Sequence, residues 1–171
     1  GPETVAAFFA EPVMGAGGVI VPPRTYFDKI QAILKKYEVL FVADEVICGF
    51  GRTGNMFGSQ TYNLQPDFIT VAKALSSAYL PIAGVLMREE GFQTIANHAG
   101  ELGILGHGYT YSGHPVASAV AYETLKIYEE IDIVSRVQSV SKTFMEELMA
   151  FESHPLVGET RGVGLVGAIE L

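Results

Sequence analysis

Apolar residues follow two spacings along this chain: short unbroken runs, and runs interrupted at every third or fourth position. Residues 5–10 (Val5, Ala6, Ala7, Phe8, Phe9, Ala10) and 39–43 (Val39, Leu40, Phe41, Val42, Ala43) are unbroken. Residues 68–72 (Phe68, Ile69, Thr70, Val71, Ala72) are nearly so. Runs of this length suit strands buried on both faces, the kind that parallel sheets use. Between the first two, residues 24–37 place Phe27, Ile30, Ile33, Leu34 and Tyr37 at helical spacing, just after Pro22 and Pro23, which suit a helix start. Strand, helix, strand predicts a parallel βαβ unit.

Further on, residues 82–87 read as another strand, 89–96 as a short helix and 97–113 as a glycine-rich loop. Pro115 opens a helix over 115–128 with Ala117, Ala119 and Ala121 along one side. A second long helix is expected over 133–150, with Val134, Val137, Val140, Phe144 and Leu148 in register and Asp132 as its N-cap. Residues 164–171 read as a strand with no evident partner in the chain. Beginning and ending on strands, the sequence reads as an internal segment of something longer. The expected class is α/β, a mainly parallel sheet flanked by helices.

The charges matter because of where the runs stop. The first is followed by Glu11, the second by Asp44 and Glu45, the third by Lys73. In open α/β sheets ligands gather outside the carboxyl ends of the strands. A lysine at a buried strand end is either a paired structural cation or a nucleophilic amine, since desolvation lowers its pKa and frees the neutral form. An acid on the neighbouring strand sharpens the second reading. A pyridoxal phosphate site asks the protein for a lysine to form a Schiff base and an acid beside the pyridine nitrogen. Glu45 faces the other way along the strand and is expected to be structural.

Composition narrows the rest. The 171 residues are 49% hydrophobic with a net charge of −8, enough for a sizeable core and opposed to a nucleic-acid partner, which basic patches recognise. No apolar run approaches a membrane span. The start of the chain lacks signal-peptide features, and the one cysteine, Cys48, excludes an internal disulfide. Both fit a cytoplasmic setting, with Cys48 a buried thiol. Lys35 and Lys36 read as a solvated helix face. Four histidines, His98, His107, His114 and His154, show no metal-ligand spacing. Gly49, Gly51 and Gly54 match a dinucleotide fingerprint in outline, so a nicotinamide-dependent oxidoreductase using the 49–54 loop is an alternative. The match is weak, because no helical pattern follows. A non-catalytic fragment or scaffold is the other alternative.

Taken together, Glu11-Pro12-Val13-Met14-Gly15, Asp44-Glu45-Val46 with the loop that follows, Ala72-Lys73-Ala74-Leu75 and Gly108-Tyr109-Thr110-Tyr111-Ser112-Gly113-His114-Pro115 resemble the class III pyridoxal-phosphate-dependent aminotransferases, closest to the ω-amino acid and amine–pyruvate branch. The resemblance implies fold type I, with residues 1–129 part of the large cofactor-binding domain and 130–171 the start of a small C-terminal domain. It implies pyridoxal 5'-phosphate as cofactor, an amino donor and a keto acid such as pyruvate as substrates, and a homodimer. By that resemblance Lys73 is the Schiff-base lysine and proton shuttle, and Asp44 the partner of the pyridine nitrogen. Val46 packs on the ring, Thr110 reaches the phosphate bound by the neighbouring subunit, and Glu11 helps shape the site. In the ornithine and 4-aminobutyrate branches an acid follows Glu11 by five positions. Here that position is Ala16, which suits amine or β-alanine-like donors. The family's phosphate cup, its ring-stacking aromatic and its carboxylate-binding arginine have no counterpart in these residues, so the segment by itself is expected to bind cofactor weakly and not to turn over.

Overall fold

A computed structural model describes residues 1–171. Strand β1 (Ala7–Ala10) leads through a proline- and glycine-rich loop into helix α1 (Tyr26–Tyr37), and this into strand β2 (Leu40–Asp44). The helix stops because Glu38 turns left-handed (φ 53°) and donates its N–H to the Leu34 carbonyl. Lys35 and Lys36 stand exposed in its last turn, where cations favour the helix dipole. After the 47–57 loop come a single helical turn, α2 (Gly58–Thr61), strand β3 (Phe68–Val71) and strand β4 (Gly84–Met87).

The four strands form one sheet in the order β1-β2-β3-β4. β1, β2 and β3 run parallel, and β4 is antiparallel to β3. The core lies where α1 covers the sheet: Phe27 and Leu34 meet Phe41 and Leu64, with Phe8, Ile30 and Tyr62 against them. Phe27 stacks on Phe41 with ring centroids 6.3 Å apart. Each such side chain contributes about 1.5–3 kcal/mol by leaving water. The α1 stripe is narrower than its spacing predicts, since Ile33 and Tyr37 remain exposed. β2, central and apolar, buries Phe41, Val42 and Ala43. The expectation that β1 is also buried fails for Phe9, which is 67% exposed, while its neighbour Phe8, pointing the other way, packs against the core under α1.

Helix α3 (Glu89–Leu102) is longer than its sequence pattern suggests. It runs through Gly100 and ends at Gly103, whose left-handed backbone (φ 84°) caps it. The loop it enters therefore starts later than expected. Helix α4 (Pro115–Glu130) and helix α5 (Ile133–Met149) follow, joined by two residues. Asp132 caps α5 as expected, accepting the Ser135 N–H at 3.4 Å.

Strand β5 (Glu159–Val163) and strand β6 (Val166–Glu170) close the chain as an antiparallel hairpin. The expectation that the last strand lacks a partner is thus corrected. Its partner carries Arg161 and Gly162, too polar and too small to read as a strand. Gly164, at φ 60°, makes the two-residue turn between them. No helix is long and apolar enough to cross a membrane.

Candidate functional site

Parallel pairing gathers the strand-end charges on one edge. Ala10 lies opposite Ala43, so Glu11 and Asp44 follow side by side, and Asp44 itself pairs with Thr70. Glu11 and Asp44 line one groove of about 530 Å³ together with Phe8, Met14, Ile20 and Tyr26. Glu11 Oε2 accepts the Gly15 N–H at 2.8 Å, which closes the loop onto its own carboxylate.

Asp44 is half-buried and held through one oxygen only. Oδ1 accepts the Val46 N–H at 3.0 Å and the Thr70 hydroxyl at 3.1 Å. Oδ2 has no hydrogen-bond partner in the chain. The backbone bond also fixes Val46, half-buried in the turn beyond β2.

Lys73 departs from its expected setting. β3 ends at Val71, and by Lys73 the backbone is left-handed (φ 45°) and opens a 3-10 turn over Lys73–Ser76. The alternation that would bury the side chain has stopped by then, so Lys73 is exposed rather than buried, and it joins no ion pair. Ser77 and Ala78 are left-handed too (φ 47° and 62°). Each such residue costs on the order of 1–2 kcal/mol for an L side chain. Strain collected beside one lysine is the kind of outlier that functional sites hold.

Thr110 lies in the exposed loop between α3 and α4, flanked by Tyr109 and Tyr111, and no hydrogen bond joins it to Glu11, Asp44 or Lys73.

Behind the edge, Glu45 is fully buried. Its carboxylate accepts the N–H groups of Gly58 at 2.8 Å and Ser59 at 2.6 Å, and the Ser59 hydroxyl at 2.5 Å. It is structural, as the strand alternation predicts. Cys48, also buried, exchanges bonds with Val13: its Sγ accepts the N–H and its S–H faces the carbonyl, each at 3.4 Å. The loops after β1 and β2 are tied together there. A Cβ on Gly58 would lie 2.7 Å from Pro12 Cβ and 2.8 Å from Cys48 Cβ, so only glycine fits.

The 49–54 loop is occupied by the chain itself. The Gly54 carbonyl accepts from Gln138 Nε2 at 2.7 Å, and the Arg52 carbonyl from the Leu165 N–H at 2.9 Å. The helix after it is one turn long. A dinucleotide fingerprint needs a long helix opening directly behind its glycines, and the nicotinamide alternative has no support here. Among the histidines, His114 caps α4, its Nδ1 accepting the Ala117 N–H at 3.5 Å.

Sequence reasoning missed Thr70. Its distance in sequence from Asp44 hides a contact that only the parallel register makes. It also missed Tyr128 of α4, whose hydroxyl reaches the turn after Lys73.

The residues present fit pyridoxal phosphate: an amine without an ion-pair partner and a carboxylate with one free oxygen stand at the carboxyl ends of neighbouring parallel strands.

The comparisons with known proteins agree. The family profile described as aminotransferase class-III matches residues 1–171. The chain is 61% identical over 170 residues to gamma aminobutyrate transaminase 1, mitochondrial, of Solanum lycopersicum, covering 99% of this chain and 33% of that protein. It is 58% identical over 170 residues to vanillin aminotransferase of Capsicum frutescens, covering 99% and 37%. The crystal structure of the omega transaminase from Pseudomonas jessenii in complex with PMP superposes with a TM-score of 0.97 at 58% identity, covering all of this chain and 38% of that one. The chain thus spans about a third of the length of these relatives. Profile, identity and fold coincide over the whole sequence, and the chain belongs to the class III aminotransferases, pyridoxal-phosphate-dependent transferases of fold type I.

Proposed function

We propose that the protein to which these residues belong transfers an amino group from an ω-amino acid or amine to a keto acid such as pyruvate. The observation that carries this is the placement of Asp44 and Lys73 at the carboxyl ends of adjacent parallel strands, the acid with Oδ2 free. Pyridoxal phosphate, when bound, supplies the electron sink for a carbanion at the donor's amine-bearing carbon. Lys73 Nζ would hold the cofactor, and its amine would carry the proton at that carbon. Asp44 Oδ2 would face the pyridine nitrogen and keep it protonated, with Thr70 and Val46 orienting the carboxylate through Oδ1. Val46 would pack on the ring, and Glu11 shapes the groove that Asp44 also lines.

Thr110 serves the phosphate bound by a second copy of the chain. The exposed aromatics on either side of it support this: Tyr109 is 77% and Tyr111 86% exposed, surface that a homodimer would cover. We further infer that residues 130–171 open the small domain and 1–129 belong to the large one. In support, β5 and β6 pair only with each other, and α5 packs on them through Phe144, Met145 and Leu148. The donor is an amine or β-alanine-like compound on the evidence of Ala16. The relatives named for gamma-aminobutyrate and vanillin make 4-aminobutyrate the donor to compare first. We place the protein in the cytoplasm on the strength of its free buried thiol. Relatives named mitochondrial and chloroplastic make cell fractionation the check.

The test is chemical. Borohydride reduction of the whole protein with pyridoxal phosphate should label the Lys73 peptide, and Lys73→Ala should lower amino transfer by roughly 10³-fold or more. A labelled lysine elsewhere, or an active K73A protein, would sink the reading and leave the scaffold alternative standing.

A further inference from the structure

The turn that carries Lys73 is gripped from outside the sheet by one side chain. The Tyr128 hydroxyl donates to the Ala74 carbonyl at 2.8 Å and lies 2.5 Å from Ser77 Oγ. A carbonyl can only accept, so the phenolic proton belongs to Ala74, and the Ser77 hydroxyl is left to donate to the phenol oxygen. Tyr128 therefore holds the residue directly after Lys73 and a left-handed residue later in the same turn. Its ring rests against Phe50, centroids 6.3 Å apart, and Phe50 is itself left-handed at φ 60°. At the far end the Ser76 hydroxyl donates to the Leu80 carbonyl at 2.6 Å.

Left-handed non-glycine residues persist only where their surroundings over-determine them. A packing tyrosine would need only its ring. Here the hydroxyl makes both of its bonds to one strained turn, which gives the polar end a separate purpose.

Resting on the reading of Lys73 as the cofactor amine, we propose that Tyr128 is a positioning residue. Its hydroxyl holds the 3-10 turn after Lys73, whose two ends are left-handed at Lys73 and Ser77, and so fixes where the amine stands relative to Asp44. It acts through Ala74 and Ser77 and touches no reacting atom.

The experiment uses the whole protein and Tyr128→Phe, which keeps the ring on Phe50 and removes both bonds. Hydrogen exchange in the cofactor-free protein reads the turn through the amides of Ser77, Ala78 and Tyr79, which bond to Ala74, Lys73 and Ser76. The rate at which pyridoxal phosphate becomes borohydride-trappable on the Lys73 peptide reads the amine. Y128F should speed exchange of those amides roughly tenfold and slow attachment roughly five- to tenfold, while the melting temperature stays that of wild type. Ser77→Ala, at an exposed position, should shift both in the same direction by less. Attachment at the wild-type rate in Y128F overturns the proposal, including when the melting temperature falls, since that marks a merely structural tyrosine. Should Y128F fail to fold, S77A decides: wild-type exchange and attachment there overturn it as well. If wild type itself labels no Lys73, the Lys73 reading falls and takes this proposal with it. Equal labelling in wild type and Y128F sinks the Tyr128 role alone.

Discussion

Thr70 and Asp44 sit opposite each other on parallel strands, and the Thr70 hydroxyl donates to Asp44 Oδ1 at 3.1 Å. With the Val46 N–H on the same oxygen, the carboxylate is anchored on one side and free on the other. Thr70→Val removes one anchor and preserves shape. Cofactor affinity should fall roughly ten- to a hundredfold, the worth of one hydrogen bond to a charged group. Thr70→Ser should retain most of it. An absorbance titration with pyridoxal phosphate measures both, and equal affinities for T70V and wild type would remove Thr70 from the site.

Glu45 is the costliest polar side chain to disturb. Glu45→Ala would leave two buried N–H groups and one hydroxyl without their acceptor. The loss should be about 3–5 kcal/mol. Glu45→Gln keeps one acceptor oxygen and should cost less. Urea denaturation of both variants gives the comparison.

Cys48 predicts an alkaline limit. Its thiol pKa is pushed from 9.0 up to about 12. Burial is the main cause; the bond to Val13 opposes it, and the carboxylates of Glu45, Glu11 and Asp44 add to it. A folded-state pKa above the unfolded value means the stabilisation is complete below pH 9 and is lost as pH rises towards 12. The difference in stability between wild type and Cys48→Ala should therefore shrink by about 1.4 kcal/mol per pH unit in that window. The same rise makes the thiol slow to react with iodoacetamide until the protein unfolds.

Gly164 packs the hairpin against the 49–54 loop. Its φ of 60° strains any other residue, and an added Cβ would meet the Arg52 carbonyl oxygen and lie 2.7 Å from Thr53 Cα. Both atoms are backbone and cannot move aside cheaply. Gly164→Ala should cost at least about 2 kcal/mol. Exchange protection should be lost first at the Leu165 amide, which donates to Arg52 at 2.9 Å.

The local pattern carried much of this. Unbroken apolar runs placed β1, β2 and β3, and the strand alternation set Glu45 and Asp44 on opposite sides, one to the core and one to the edge. Prolines and Asp132 marked where helices begin. The four motifs, in order, carried the family. All of these are signals between near neighbours, which a sequence states directly.

Tertiary structure decided what depends on distant partners. Only the packing of α1 on one face of β1 covered Phe8 and left Phe9 exposed. Only antiparallel pairing gave the last strand its partner, through a β5 segment whose own residues favour no strand. Parallel register brought Thr70 to Asp44, and helix packing brought Tyr128 to the turn after Lys73. The exposure of Lys73 follows from a left-handed backbone just past the strand, a conformation that no residue pattern announces. Such contacts arise from how whole elements lie against one another, and that is settled by burial and hydrogen bonding summed across the fold rather than by any short stretch of it.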